Sequence, residues 1–305
     1  MARCGREVAR QGYRVPLCPR TLARVIPVTA RSSGVAYIPH MSSTTKTNRT
    51  AWLQGPSAPC EHPPEGSLAP YRLILLGAPG VGKGTQADLL RQRLRACHLS
   101  TGDVFRAAAT GECETSPAMT DALGFMRRGE LVPDSIVWEM VRERSGCLRC
   151  RGGFILDGFP RTLSQAEALK KLMDQEGLSL TAAVSYDLPL NEIVARLSGR
   201  RTCAGCKAVY HATERPPKVE GRCDRCNAVL FQREDDRPES IKIRMEAYER
   251  STAPLIDFYE DLGVLLRVAA NGTPDDIFNR TAPELEARRV RQFAQSTWKA
   301  NEDRR

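Results

Sequence analysis

Histidine is scarce, with four in 305 residues. Only His98 and His211 fall beyond position 70, so a mechanism that turns on an imidazole base has little to draw on there. Long apolar runs are missing too. Nothing approaches the roughly 18–20 consecutive apolar residues that a membrane span requires. Acidic residues are almost absent from the first forty positions, where Glu7 stands alone. That opening stretch also lacks the continuous apolar segment of a secretory signal.

What the opening does have is arginine. Residues 1–70 hold nine Lys and Arg against three acids, six of the chain's nine net positive charges. The basic balance therefore belongs mainly to the extension and is weak support for nucleic-acid binding. An Arg-rich, acid-poor stretch followed by Ser and Thr has the composition of an organelle transit peptide, most like a mitochondrial one bound for the matrix. A plastid or cytoplasmic location is the alternative, as is a basic arm that stays on the mature chain. Ser42 to Pro70 is rich in Ser, Thr, Pro and Gly and reads as linker, and Met41 is an alternative start. Residues 1–65 are thus read as address and linker, and Cys4, Cys18 and Cys60 receive no structural role.

The remaining length suits one sizeable α/β domain with additions. It is organised around Tyr71 to Thr85, YRLILLGAPGVGKGT. Arg72 to Leu76 is a short apolar run of the kind buried in parallel sheets. Gly77, Gly80, Gly82 and Gly84 then let the backbone wrap a polyphosphate and turn N–H groups toward it. The helix that follows adds its positive end. Lys83 can reach the outer phosphates and Thr85 a bound Mg²⁺. The pattern GxxxxGK[ST] fits through Lys83, with Gly84 inserted before Thr85. A Gly-rich turn without a ligand is the bland alternative; the strand before and the helix after it argue otherwise.

Gln86 to Cys97 carries apolar residues at helical spacing, as the crossover helix of a βαβ unit does. His98 to Ser100 reads as a return strand, and Ser100-Thr101-Gly102-Asp103 as a cap for a helix from Val104 to Thr110. Arg106 lies one turn into that helix, where it can meet an anion. Met119 to Arg127 and Ser135 to Glu143 read as helices, joined by Gly129 to Asp134. Gly153 to Asp157 is a second buried strand with a carboxylate at its C-terminal end, the place where Mg²⁺ and ligands gather in open parallel sheets. Gly158 to Arg161 is the exit turn, with Gln165 one turn into the next helix. Ala182 to Leu188 is a third strand, and Asn191 to Leu197 a helix ending at Arg196, Arg200 and Arg201. Ser240 to Tyr259 is helical with a break near Pro254; Val264 to Ala269 is the last strand, followed by a helix over Pro274 to Arg280. Beyond Glu286 the chain is charged and patternless and reads as a helical or frayed tail with no assigned function.

Cys203-Ala-Gly-Cys206 and Cys223-Asp-Arg-Cys226 flank sixteen residues, a zinc-site pattern. Two thiolates on each tight turn complete a closed tetrahedral shell, which argues for a structural metal. A reducing compartment disfavours disulfides. A zinc ribbon also serves nucleic-acid binders, but here stacking aromatics are scarce beyond Tyr210 and Phe231. Cys147 and Cys150 have no partner pair and read as free thiols in a loop.

GAPGVGKGT, STGDVFR, LDGFPRT, GRR after the third strand and REDDRPE, in this order, resemble adenylate kinase over roughly Arg72 to Phe278. Glycine before the loop threonine is normal in that family. The resemblance implies the P-loop nucleoside monophosphate kinase fold: an α/β core with a parallel central sheet flanked by helices, and a small β-rich zinc-type lid. The core would span residues 71–200 and 233–285, with an AMP-binding region at about 100–132; the lid would span 201–232 and a charged tail 286–305. By the same resemblance, Gly80, Val81, Gly82, Lys83, Gly84, Thr85, Arg196 and Arg200 would hold ATP. Thr101, Arg106, the Glu130, Leu131 and Val132 backbone, Gly158, Arg161 and Gln165 would hold AMP. Arg161, Arg200, Arg233 and Arg244 would converge on the transferring phosphoryl with Lys83 and Asp157, and Arg233 and Arg244 would also touch AMP. Asp235 and Asp236 would pair with arginines of the lid region.

The implied reaction is ATP + AMP ⇌ 2 ADP with Mg²⁺, a structural Zn²⁺ on Cys203, Cys206, Cys223 and Cys226, no nucleic-acid partner, and a monomer. A GTP:AMP phosphotransferase or another nucleoside monophosphate kinase is the nearest alternative. A non-catalytic nucleotide sensor is the alternative of another class.

Overall fold

The computed structural model describes residues 70–109, 117–143, 148 and 153–302. The address and linker, with Met41, Cys4, Cys18 and Cys60, lie outside the described residues, as do Cys147 and Cys150. The strands are β1 (Tyr71–Leu76), β2 (Cys97–Ser100), β3 (Gly153–Asp157), β4 (Ala182–Asp187), β5 (Arg200–Cys203), β6 (Val209–His211), β7 (Leu230–Phe231) and β8 (Leu265–Ala269). The helices are α1 (Lys83–Leu94), α2 (Thr101–Ala109), α3 (Pro117–Arg128), α4 (Asp134–Glu143), α5 (Leu163–Gln175), α6 (Leu190–Gly199), α7 (Pro238–Ala247), α8 (Leu255–Asp261) and α9 (Pro274–Glu302).

Among the described residues, five parallel strands run in the order β2-β3-β1-β4-β8. The central strands are apolar almost continuously because helices cover both faces. Ile74, Leu76, Phe154 and Leu156 point to one side, and Leu73, Leu75, Ile155 and Val184 to the other. Each such side chain contributes about 1.5–3 kcal/mol on burial. The register aligns Leu75 with Asp157 and Ser100 with Asp157. The glycine loop after β1, Thr101 after β2 and Gly158 after β3 therefore leave the sheet side by side at its carboxyl edge, where ligands bind in this architecture.

The second sheet, ordered β6-β5-β7 and antiparallel, forms the small cysteine-bearing unit. Its strands are two to four residues long. Its buried cluster is only Cys203, Tyr210, Cys223 and Leu230, too little to stand as a core.

Several boundaries differ from the sequence reading. The crossover helix α1 stops at Leu94 because Arg95 turns left-handed, φ 55°, and donates its N–H to Arg91 O. Cys97 thus opens β2 instead of closing the helix. The stretch from Ser240 to Tyr259 is interrupted by a wider helical turn over Tyr248–Thr252 ahead of Pro254. The largest difference is at the C-terminal end. The helix expected over Pro274 to Arg280 continues without a break through the tail, read as helical or frayed, to Glu302. Its inner face docks on the sheet: Leu285 is buried, Arg288 Nη2 donates to Leu265 O at 2.6 Å, and Gln292 Nε2 donates to Leu180 O at 2.5 Å. No helix among the described residues is long and apolar enough to cross a membrane.

Candidate active site

The glycine loop is built as its spacing predicts. Gly80 has φ +92°, and a Cβ there would come within 2.8 Å of Leu197 Cγ. Gly82 is the left-handed residue, φ 101°, that admits the chain to α1. Both demands select glycine, the first by space and backbone together, the second by backbone alone. Lys83 Nζ lies over the loop and donates to Gly77 O at 2.6 Å and Ala78 O at 2.9 Å. Burial lowers its pKa to about 7; Asp157 opposes that shift, and Arg161, Arg244 and Arg200 add to it. Thr85 is half-buried in the first turn of the same helix.

Asp157 closes β3 next to this lysine. Burial pushes its carboxyl upward, but the His98 hydrogen bond and the His98 and Lys83 charges outweigh that and hold it below the ordinary aspartate value. His98 is 4% exposed, with Nε2 3.5 Å from Asp157 Oδ2 and Nδ1 3.6 Å from Asp88 Oδ1. It is thus a buried brace between two carboxylates.

The arginines gather at the same edge. Arg200 donates Nε to Asp236 Oδ2 at 2.7 Å and pairs with Asp236 Oδ1 through Nη2. Arg244 Nη1 reaches Asp235 Oδ2 at 3.0 Å and Asp236 Oδ1 at 3.1 Å. Burial, Arg106 and Arg200 push Arg233 down to about 9, and burial with Arg244 and Arg106 pushes Arg161 down to about 10. Arginine gives up a proton with great reluctance, so these remain buried cations that a bound anion would compensate. Arg233 Nε donates to Thr202 Oγ1 at 2.9 Å, which ties it to β5. Arg106 pairs with Asp103 at 2.6 Å; burial lowers its pKa, but the Asp103 charge and hydrogen bond more than reverse this. Arg196 Nη1 lies 3.4 Å from Val81 O beside the loop.

A cavity opens beside this cluster, lined by Thr101, Gly102, Phe105, Met126, Leu131, Val132, Val137, Gly158, Arg161 and Gln165. Thr101 Oγ1 donates to Gly158 O at 3.0 Å and Arg161 Nε to the same oxygen at 2.8 Å. Phe105, Met126 and Val137 supply flat apolar walls.

In the small unit the four Sγ atoms of Cys203, Cys206, Cys223 and Cys226 lie within 4.8 Å of one another. Cys203 and Cys226 are 3.4 Å apart and Cys206 and Cys223 3.5 Å, too far for disulfides. A tetrahedron with 2.3 Å metal–sulfur bonds has edges of about 3.8 Å, so the set fits one tetrahedral metal ion. Each pair sits on a tight turn: Cys203 N–H donates to Ala208 O and Cys223 N–H to Ala228 O, both at 2.9 Å. Lys207 and Asn227, each directly after its second cysteine, are both left-handed at φ 59°.

The adenylate kinase family model matches residues 75–264. The adenylate kinase of Thermodesulfovibrio yellowstonii is 46% identical over 215 residues, 70% of this chain and 99% of that protein. That of Geotalea uraniireducens is 48% identical over 208 residues, covering 68% and 94%. That of Carboxydothermus hydrogenoformans is 44% identical over 207 residues, covering 68% and 95%.

The chain belongs to the adenylate kinase family. In this adenylate kinase fold, the cavity receives most of the residues assigned to the acceptor: Thr101, Leu131, Val132, Gly158, Arg161 and Gln165. Glu130 does not line it. Its side chain pairs with Arg128 and its N–H bonds Phe125 O, closing α3. Arg106, Arg233 and Arg244 also stand outside the cavity lining, in the adjoining charge cluster. The sequence reading missed Phe105, Met126 and Val137, because an apolar residue on a helix spells core and cavity wall alike. It also missed Asp134, whose contacts span 28 to 31 residues.

Proposed function

We propose that the protein transfers a phosphoryl group reversibly between ATP and AMP, giving two ADP. One observation carries this reading. The Lys83 loop and the Thr101–Gln165 cavity leave the same sheet edge, and the charges of Arg161, Arg200 and Arg244 act on Lys83 between them. A loop and a cavity side by side, with cations at the seam, would suit two nucleotides. The acceptor phosphate is already anionic at neutral pH, so no base need remove a proton. The residues have positioning and charge neutralisation to do. Arginine suits the seam because its planar fork binds two phosphate oxygens at once.

Asp157, kept ionised beside the loop, and Thr85 are the residues that would hold the Mg²⁺ accompanying ATP. The ion supplies charge neutralisation between phosphate oxygens. Zn²⁺ is the metal we propose for the cysteine set, on four soft ligands at tetrahedral spacing. Both nucleotide regions come from one chain, so a monomer suffices. For residues 1–65 we propose a mitochondrial-type address, supported by the Arg-rich, acid-poor composition.

A coupled assay offering ATP or GTP against AMP, CMP, UMP and GMP tests the reaction. ATP with AMP is expected to give the highest kcat/KM. Absence of ADP formation, or a pyrimidine or guanine acceptor in first place, overturns the reading.

A further inference from the structure

Gln165 lines the acceptor cavity and is 2% exposed. Its amide is held at both ends. The Arg161 backbone N–H donates to Oε1 at 2.7 Å, and Nε2 donates to Asp134 Oδ1 at 2.5 Å. Neither partner can exchange roles, since a backbone N–H only donates and a carboxylate only accepts. Turning the amide end for end would set Oε1 against the carboxylate and the NH₂ group against the N–H. Both bonds would be lost and two like-polarity contacts made, in a site with little water to soften them.

Asp134 is itself fixed. It opens α4, and its Oδ2 accepts from Thr162 Oγ1 at 2.9 Å and from Ser164 Oγ. Thr162 in turn caps α5, the helix that carries Gln165. The carboxylate therefore holds the amide from a rigid junction of two helices.

With these bonds made, Gln165 keeps one N–H and one lone pair. They stand in a fixed order. Adenine offers a donor at its 6-amino group beside an acceptor ring nitrogen, at N7 or N1. A 6-oxopurine places an acceptor where adenine has the donor. We propose that Asp134 is a positioning residue that sets the acceptor base: by locking the Gln165 amide it selects a 6-aminopurine against a 6-oxopurine. This rests on the proposed reaction and on this cavity as the acceptor-base site. On the N1 edge a 6-oxopurine presents O6 and N1–H, the reverse of adenine, so relief requires the flip that Asp134 resists; on the N7 edge O6 and N7 both accept, and neither orientation of the amide satisfies both.

The test is steady-state kcat/KM with ATP as donor and three acceptors: AMP, purine riboside 5′-monophosphate, which bears nothing at C6, and IMP. For the unaltered protein the expected order is AMP first, the unsubstituted purine second and IMP last. The bare ring forfeits one bond, whereas the oxo group meets a like lone pair. In Asp134→Asn the new side chain can offer Gln165 either a donor or an acceptor, so one of the two locks is gone and only the Arg161 N–H still opposes the turn. The AMP-over-IMP ratio is expected to fall at least about tenfold, with IMP improving in absolute terms. A purely structural role lowers both acceptors in parallel and leaves the ratio unchanged, which overturns the proposal. So does an unaltered protein that uses IMP as well as the unsubstituted purine, a result that needs no variant to fold. AMP turnover with an unchanged ratio sinks the Asp134 role alone, whereas no AMP turnover sinks the reaction and this role together.

Discussion

The Asp236 carboxylate is fully buried and accepts both Nε and Nη2 of Arg200, the residue that opens β5 of the small sheet. Its Oδ1 also receives Arg244 Nη1, from α7, at 3.1 Å. One buried anion thus aims two guanidinium groups from separate elements along one edge. Removing one partner of a buried pair leaves uncompensated charge and costs about 3–5 kcal/mol. Asp236→Ala is therefore expected to lower Tm by roughly ten degrees or more in calorimetry. It should also reduce kcat, because both arginines lose their heading. An unchanged Tm would show that Arg200 and Arg244 find equal partners elsewhere.

Lys83 makes nucleotide binding depend on pH. Its pKa is lowered to about 7 by burial and by neighbouring arginines, so above neutrality the free protein holds it partly uncharged. A polyphosphate beside Nζ favours the charged form and raises that pKa. Binding above pH 7 must then take up a proton, and affinity must fall as pH rises from 7 toward 9. Calorimetry of Mg·ATP binding in buffers of different ionisation enthalpy reads this directly. Uptake is expected at pH 8 and should vanish in Lys83→Met; proton release, or equal uptake in the variant, contradicts the assignment.

The same substitution tests the chemistry. Lys83→Met would remove a cation from the transferring phosphates and spare the core, because Nζ donates to the loop carbonyls Gly77 O and Ala78 O. A fall in kcat of about 10²–10³ with a Tm within two degrees or so is the expected pairing. Normal turnover would remove Lys83 from the mechanism.

The loop, the three strands leading to the site and the cysteine pairs were legible in the sequence because each signal is local. Glycine spacing, a short apolar run and CxxC are all read within a dozen residues. The cavity walls were not, since Met126 and Val137 carry the same helical periodicity as core residues. Nor was Asp134, whose bonds to Thr162 and Gln165 join segments distant in sequence. The C-terminal helix misled for a related reason. Its outer face is charged enough to look patternless, while Leu285, Arg288 and Gln292 hold the inner face to the sheet.

The lid offers a test that separates stability from chemistry. Its described apolar cluster is four residues, so its order must come from the thiolate set. Tyr210 OH lies 3.4 Å from Cys223 Sγ and accepts the Asp224 N–H at 2.9 Å, binding the outer layer to the same centre. The cysteines play no part in the Lys83 and arginine cluster. Chelation, or Cys203→Ser with Cys223→Ser, is therefore expected to lower Tm far more than it alters the single-turnover phosphoryl-transfer rate at saturating nucleotide. The variants should fall to the Tm of the chelated protein and respond no further to chelator. Identical melting with and without chelator would mean that packing alone holds the lid, a result difficult to reconcile with a unit whose strands are two to four residues long.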